Sequence, residues 1–213
     1  MKPHRIFLIR HGESEANVDV SVHETKPDHQ MDLTDLGVSQ AEAAGSKLSA
    51  LLSGEPLAAY ISPFRRTRMT WQGIRRGLDI AQVEREREDP RLREQEWGHL
   101  RKEEDTKLIE KERNAYGAFY FRIPDGESGA DVYDRCSGFL DTLYRDFEKP
   151  YFPRNALIVT HGLTLRLLIM RWLHWSVEEF ESLRNPSNCE LFELRIDAAG
   201  AHYGLVTPFR IKV

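Results

Sequence analysis

Apolar residues along the chain occur in two patterns, short unbroken runs and helically spaced positions. Unbroken runs predict buried strands at residues 5–9, 57–61 and 156–160. Helical spacing predicts helices from Thr34 onward, over 132–147 and over 163–173. Strands that alternate with helices form a largely parallel sheet with helices on both faces. The pattern therefore predicts an α/β fold of three layers, α/β/α, with a mostly parallel central sheet.

Weaker patterns predict further elements between and after these. Residues 81–86 and 203–206 are β-like, and residues 102–113 form a highly charged helix candidate. The run over 189–196 is also β-like and is expected at a sheet edge. An edge strand can pair with a second copy of the chain, so a homodimer through 189–196 is a hypothesis.

Polar clusters follow three of the predicted strands directly. They are Arg10-His11-Gly12, the segment 62–66 and His161-Gly162. Ligands of parallel sheets gather at the carboxyl ends of the strands, so we expect the three clusters to share one edge.

The side chains of these clusters suit a phosphate group. If Arg10, Arg66, His11 and His161 converge, two guanidinium groups and two imidazoles form a cationic pocket, reinforced by helices expected after Gly12 and Gly162. A neutral imidazole can attack phosphorus, and a carboxylic acid can protonate the leaving oxygen. Glu94 and Glu96 are the candidates for that acid.

Six segments together resemble the histidine phosphatase superfamily, and within it the phosphoglycerate-mutase-like phosphatases. In chain order they are RHGESEAN (10–17), LTDLGVSQA (33–41), SPFRRT (62–67), LREQEWG (92–98), GESGADVYDR (126–135) and VTHGLTLRLL (159–168). They cover nearly the whole chain in the family's order. The resemblance implies the phosphoglycerate-mutase-like fold and a single domain over residues 1–213.

The resemblance also implies a role for each site residue. His11 is expected to be the nucleophile that becomes phosphohistidine, and Glu94 to be the general acid and base, favoured over Glu96 by its spacing to Trp97-Gly98. Further phosphate ligands are expected at Arg10, Arg66, His161, Asn17 and the backbone N–H of Gly162. Arg65 and Arg68 are expected on the helix exterior.

Three functions remain open, and hydrolysis of phosphate monoesters is preferred. The alternatives are a cofactor-dependent phosphoglycerate mutase and a non-catalytic phospholigand-binding or scaffold protein. Against a mutase, the segment after Asn17 lacks the mutases' Phe-Thr-Gly-Trp-like loop, Trp97 stands where they usually carry Tyr, and 102–122 contains no Arg-Arg pair. Against a scaffold, His11 and Glu94 are both retained.

Several sequence features have both a structural and a functional interpretation. Glu13 and Ser14 can touch substrate or orient the turn after His11. The pair Glu127-Ser128 can line the pocket or cap the following helix, and residues 119–121 are aromatic and are expected in the core rather than in a substrate pocket.

Composition limits the partners and the setting. The chain has 213 residues, is 40% hydrophobic and carries a net charge of −4, which argues against nucleic acid as a partner. No apolar stretch is long enough for a membrane span, and two distant cysteines favour a reducing cytoplasm. The other six histidines show no metal-ligand spacing, so neither a metal nor a cofactor is expected beside a small phosphate ester.

Overall fold

The computed structural model describes residues 2–79, 82–98 and 102–212. The strands in these residues are β1 (Arg5–Arg10), β2 (Leu57–Ile61), β3 (Val83–Glu88), β4 (Asn155–Thr160), β5 (Leu191–Ile196) and β6 (Tyr203–Leu205). The α-helices are α1 (Glu15–Val18), α2 (Asp35–Leu52), α3 (Arg65–Arg76), α4 (Glu103–Tyr116), α5 (Gly129–Phe147), α6 (Gly162–Leu173) and α7 (Val177–Ser182). Short 3-10 turns cover 20–24, 28–30 and 90–92.

The strands form one sheet in the order β3-β2-β4-β1-β5-β6. Four neighbours, from β3 to β1, run parallel, whereas β5 is antiparallel to β1 and β6 is antiparallel to β5. The predicted mostly parallel α/β sheet is therefore confirmed. The antiparallel pair is added at one side of the parallel core.

Alternate residues of each central strand face two separate hydrophobic clusters. Phe7 and Ile9 of β1 pack with α2 and α3 through residues such as Leu48 and Trp71. Ile6 and Leu8 pack in the second cluster, which also contains residues of α5 and α6. Because a strand points successive side chains to opposite faces, this division produces the three predicted layers.

Most predicted boundaries differ from the structure by three residues or fewer. The third strand covers Val83–Glu88 rather than 81–86, and Ala81 lies outside the described residues. The helix predicted over 132–147 begins earlier, at Gly129, because the Ser128 hydroxyl accepts a hydrogen bond from Asp131 N, at 3.2 Å. Ser128 is therefore a helix cap, which favours the structural interpretation of that residue.

The prediction of an edge strand at 189–196 is wrong. β5 lies between β1 and β6, which pairs with its residues 194–196, and the edges of the described sheet are β3 and β6. The β3 edge has the sequence VERERE, and charged side chains along an edge oppose pairing with another chain. Because β6 already pairs with residues 194–196, that part of β5 does not offer a free edge to a second copy, and the homodimer itself stays a prediction.

None of the helices in the described residues is long and apolar enough to cross a membrane.

Candidate active site

The candidate site lies where three parallel strands end side by side. The register pairs Arg10 with Thr160 and Ile61 with Val159, so β1, β2 and β4 finish at the same level. His11 and His161 follow two of these strands, and the centroids of their rings are 5.2 Å apart in an edge-on arrangement. The structure thus brings together two of the predicted clusters at one edge of the sheet.

His11 is held as a neutral imidazole with one free nitrogen. Its ring is buried, and Nδ1 lies 2.7 Å from the carbonyl oxygen of Gly12. A carbonyl can only accept, so Nδ1 carries the proton and Nε2 keeps its lone pair. Burial and then the charges of Arg66 and Arg10 lower the pKa of His11 well below its usual value. The arrangement suits a nucleophile.

His161 is also buried and neutral. Its Nε2 lies 2.7 Å from Ser62 Oγ, whereas Nδ1 is buried with no hydrogen-bond partner in the described structure. The Phe64 ring packs against the imidazole, at 5.1 Å between centroids. Burial first, and then the charge of Arg66, lower the pKa of His161 well below its usual value. The unpartnered Nδ1 is therefore available to a ligand.

Arg66 is buried and its guanidinium binds a carboxylate. Nη1 lies 2.8 Å from Asp28 Oδ1 and Nη2 lies 3.1 Å from Asp28 Oδ2, while Nη1 also donates to the carbonyl oxygen of Asp28, at 2.7 Å. The guanidinium carbon is 5.0 Å from the centroid of the Phe64 ring. The side chains of Arg65 and Arg68 are 60% and 50% exposed, which agrees with the predicted exterior positions.

Arg10 lies half-buried beside the two histidines. Its Nη1 donates to the carbonyl oxygen of Pro186 at 2.6 Å, and its Nε is buried without a hydrogen-bond partner in the described residues. Burial lowers the pKa of Arg10, while the charge of Glu94 opposes that shift. The guanidinium therefore keeps donor capacity that the protein itself does not use.

Glu94 binds the N-terminus of α6, the helix that begins after His161. Its carboxylate accepts from Leu163 N at 3.2 Å, from Thr164 N at 3.2 Å and from the Thr164 hydroxyl at 3.0 Å. Helix N-termini attract carboxylates because their N–H groups lack partners within the helix. Glu96, in contrast, is exposed and accepts from Gly98 N at 3.1 Å.

The loop that carries Glu94 is fixed by Arg135 of α5. Arg135 Nη1 donates to the carbonyls of Arg91 and Arg93 at 2.7 and 2.8 Å, and Nη2 donates to that of Glu94 at 3.0 Å. Glu127 completes the arrangement, because it pairs with both Arg135 and Arg93 and accepts from the backbone N–H of Glu96. The Glu127 side chain therefore supports the loop.

Asn17 presents its amide nitrogen at the exposed side of the site. Its Oδ1 accepts from Ser14 N at 3.1 Å, from Ser14 Oγ at 3.2 Å and from Asn188 Nδ2 at 3.0 Å. With the oxygen engaged in this way, Nδ2 is the group that Asn17 can offer to an anion. Gly162 is the first residue of α6, so its N–H has no partner within that helix.

Gly12 lies in close contact with the start of α2. A Cβ at Gly12 would lie 2.4 Å from the carbonyl oxygen of Gly37, so this glycine allows α2 to approach the turn after His11. Gly12 N donates to Thr70 Oγ1 at 3.0 Å. The helix expected after Gly12 is α1, which begins at Glu15 and has only 4 residues.

Contacts and exposure in the structure bear on the interpretations left open for Glu13 and for residues 119–121. Glu13 accepts from the Thr34 hydroxyl at 2.8 Å, and this contact orients the turn. Phe119 is buried as expected, but Tyr120 is 63% exposed. Tyr120 is thus an exception to the predicted core position, and Phe121 is half-buried.

Sequence reasoning missed Asp28, Arg135 and the contact between Ser62 and His161. Ser62 and Arg135 lie inside the quoted segments, so those segments contained a signal for them. Asp28 lies in none of them, and only the folded path of 20–30 brings it to Arg66.

Within the described residues, no group of three or more His, Cys, Asp or Glu side chains is placed to hold a metal ion.

Comparison with known families decides the classification. The profile of the histidine phosphatase superfamily (branch 1) matches residues 6–206. This chain belongs to the histidine phosphatase superfamily. The predicted resemblance is thereby confirmed.

Relatives and solved structures agree with this membership. Phosphoglycerate mutase-like protein AT74 of Arabidopsis thaliana is 43% identical over 93% of this chain and 66% of its own length. Broad-range acid phosphatase DET1 of Saccharomyces cerevisiae is 29% identical over 97% of this chain and 89% of its own. The structure encoded by open reading frame Rv3214 of Mycobacterium tuberculosis superposes with a TM-score of 0.73, at 25% identity and 96% coverage of both chains.

Proposed function

We propose that this histidine phosphatase hydrolyses small phosphate monoesters through a phosphohistidine at His11. One observation carries the proposal: Nδ1 of His11 is tied to the Gly12 carbonyl, which leaves Nε2 with its lone pair on a neutral ring whose pKa is lowered by burial and by the charges of Arg66 and Arg10. The names of relatives such as the acid phosphatase of yeast support a hydrolase. The proposal includes a single catalytic domain over residues 1–213, supported by the family match over 6–206.

The phosphate group binds among Arg10, Arg66 and His161, with Asn17 Nδ2 and the Gly162 N–H as further donors. Guanidinium groups suit this role because their paired N–H groups match phosphate oxygens and offset the negative charge. Arg10 Nε and His161 Nδ1 are buried without protein partners among the described residues, so both gain a partner when an oxyanion binds. The two arginines supply the positive charge, so the proposal involves neither a metal nor a cofactor.

The first step transfers the phosphoryl group to His11. The Nε2 lone pair attacks phosphorus as the bond to the ester oxygen breaks, and Glu94, as the carboxylic acid, donates its proton to that leaving oxygen. In the second step, the Glu94 carboxylate takes a proton from water. The water oxygen attacks phosphorus, the P–N bond breaks, and inorganic phosphate leaves with His11 neutral again.

The proposal specifies an acid phosphatase. Glu94 must begin the first step as the acid, whereas His11 must begin it unprotonated. Because burial and the two arginines lower the pKa of His11, the nucleophile stays available in mildly acidic solution. We therefore expect hydrolysis of p-nitrophenyl phosphate to be faster near pH 5 than near pH 8, and unaffected by a metal chelator.

Trapping the intermediate tests the proposal directly. The protein is mixed with p-nitrophenyl phosphate, quenched in alkali, where phosphohistidine survives, and digested for mass spectrometry. We expect phosphate on the peptide that contains His11, and we expect His11→Ala to lose both the label and turnover while keeping its Tm. The control is His202→Ala, which removes an exposed histidine and should change neither. Turnover by His11→Ala would contradict the mechanism.

Glu94→Gln separates the acid role from binding. The amide cannot donate a proton as an acid, so alkyl phosphates with poor leaving groups should lose about 10² to 10⁴-fold in kcat. In the first turnover, which precedes the base role of Glu94, release of nitrophenolate, a good leaving group, should fall much less. Equal losses on both substrates in the first turnover would contradict the assignment.

The other reactions give different products. A mutase would isomerise 3-phosphoglycerate, in the presence of bisphosphoglycerate, without releasing inorganic phosphate. A non-catalytic binding protein would bind phosphate esters without turnover.

The proposed compartment is the cytoplasm. Cys136 and Cys189 are both free thiols, which fits a reducing compartment.

A further inference from the structure

A polar cavity of about 640 Å³ opens beside the candidate phosphate pocket. Its lining includes the guanidinium groups of Arg10, Arg184 and Arg210, together with Gln40, Asn185 and Asn188. The roles proposed above use only Arg10 from this lining.

The cavity and the phosphate pocket share walls. Arg10 belongs to both, and Asn188 Nδ2 donates to the carbonyl oxygen of His11, at 3.1 Å, as well as to Asn17. Asn185 packs directly on Gly162, where an added Cβ would lie 2.3 Å from Asn185 Oδ1. A small ligand held by its phosphate on Arg10 can therefore extend into the cavity.

The lining offers more positive charge than the protein neutralises. In the described structure the guanidinium of Arg184 is exposed and makes no hydrogen bond or ion pair. Arg210 donates to Ser187 Oγ and to Glu190, each at 2.8 Å, so its charge is offset by a carboxylate. Gln40 accepts from Glu13 N through Oε1, at 2.9 Å, which leaves its Nε2 as a donor.

Arginine and amide donors of this kind suit an oxyanion. We propose that the cavity holds a second anionic group of the substrate, so that the enzyme favours phosphate esters that also carry a carboxylate or another phosphate. The inference rests on the proposed phosphatase function. Arg184 is the principal specificity-determining residue, since its charge is free, and Arg210 contributes less because Glu190 already binds it.

Two matched substrates test the inference. 3-Phosphoglycerate and glycerol 3-phosphate differ in a carboxylate that replaces a hydroxymethyl group. We expect the wild-type protein to hydrolyse 3-phosphoglycerate with the higher kcat/KM, and Arg184→Gln to reduce that preference by about tenfold, as the loss of one charged hydrogen bond predicts. Arg184→Lys should keep part of the preference, and Arg210→Gln should reduce it less than Arg184→Gln.

A distant surface arginine provides the control. Arg76 lies at the end of α3, is 63% exposed and pairs with Glu42 on the surface. Arg76→Gln removes the same net charge, so it should leave the preference unchanged. Equal effects of Arg184→Gln on both substrates, or none on either, would overturn the inference.

Binding measurements keep the two proposals distinguishable. Both ligands are titrated by calorimetry into the His11→Asn variant, with and without Arg184→Gln, so that no turnover is needed. Weaker binding of 3-phosphoglycerate after Arg184→Gln would support the cavity even if hydrolysis were never observed. Absent hydrolysis of p-nitrophenyl phosphate would by itself contradict only the proposed function. If Arg184→Gln weakened the binding of both ligands equally, the cavity would not recognise the carboxylate, and the inference would be wrong.

Discussion

The carboxylate of Asp28 binds the guanidinium of Arg66 through two oxygens, as two oxygens of a phosphate would. Both Nη atoms of Arg66 donate to Asp28, and the Asp28 side chain is 36% exposed, so it lies where solvent can reach it. A substrate phosphate that uses these donors must compete with this carboxylate. Asp28 therefore keeps Arg66 ordered in the free protein and lowers its affinity for anions.

Asp28→Asn tests this competition. A neutral amide binds a guanidinium less strongly than a carboxylate does, so we expect the inhibition constant of inorganic phosphate to fall by about tenfold, the loss of one charged contact. The measurement is phosphate inhibition of p-nitrophenyl phosphate hydrolysis.

Asp32→Asn is the matched control for that variant. Asp32 lies in the same loop but pairs with Lys26 and Arg65, outside the pocket, so the constant should not change. A rise in the inhibition constant for Asp28→Asn would instead show that Asp28 orients Arg66 for binding.

The contact between Ser62 and His161 leaves Nδ1 as the ring nitrogen that can meet a ligand. Nε2 lies 2.7 Å from Ser62 Oγ, a hydroxyl that can both donate and accept, and this oxygen also accepts from Phe64 N at 3.5 Å. When the hydroxyl donates to Nε2, the neutral ring carries its proton on Nδ1 and can donate it to a bound phosphoryl oxygen.

At the scale of elements, α5 positions the loop that carries Glu94. The three carbonyls bound by Arg135 belong to residues 91–94, and the Arg135 side chain is only 10% exposed. A planar guanidinium can bond to several carbonyls at once, which an ammonium group cannot do with the same geometry. Arg135 is therefore a positioning residue for Glu94, the proposed general acid.

Arg135→Gln should displace the loop without removing any group that touches substrate. A shift of about 1 Å can cost about 10²-fold in rate, so we expect kcat to fall by up to that factor while KM changes little. The loss should be larger for alkyl phosphates than for p-nitrophenyl phosphate, which a general loss of stability would not produce. Arg135→Lys should not restore the rate.

Arg145→Gln on the same helix is the control, because Arg145 is exposed and bonds only to Thr142 in the described structure. It should leave kcat and its dependence on the leaving group unchanged. Equal kcat losses for both leaving groups in Arg135→Gln would contradict the positioning role.

Elements that depend on local pattern were predictable from the sequence, and those that depend on distant partners were not. The run 57–61 matches β2 exactly because all five residues are buried and any polar break would be costly. The position of β5 inside the sheet depends on where β6 returns, which no local pattern encodes. The contact of Asp28 with Arg66 likewise depends on the path of a loop 38 residues earlier.

At the scale of the whole molecule, the candidate site brings Arg10 and Arg66 beside two buried histidines, although the net charge of the chain is −4. Burial first, and then the charges of the arginines, lower the pKa of both rings and keep them neutral. Protonation of either ring would add a third charge to this low-dielectric region. The site is therefore built to bind an anion and to exclude protons, which makes folding itself sensitive to pH.

The free energy of unfolding should therefore fall as the solution becomes acidic. His11 and His161 have an ordinary pKa of 6.5 when unfolded and a much lower pKa when folded, so below pH 6.5 the unfolded chain binds more protons. Their contribution is complete above pH 6.5 and is lost as the pH falls toward the folded pKa values, by up to about 1.4 kcal/mol per pH unit for each histidine. His23, whose pKa burial also lowers, adds to the slope.

Urea denaturation at pH 7, 6 and 5 measures this slope. The window lies above the usual pKa of 3.8 of carboxyls such as Asp89 and Asp146, whose lowered pKa values matter only in stronger acid. We expect the double variant His11→Asn, His161→Asn to lose most of the slope, whatever its stability at pH 7, because neither asparagine titrates. His202→Asn, an exposed histidine, should keep it. An unchanged slope in the double variant would show that these two rings are not the groups that couple folding to pH.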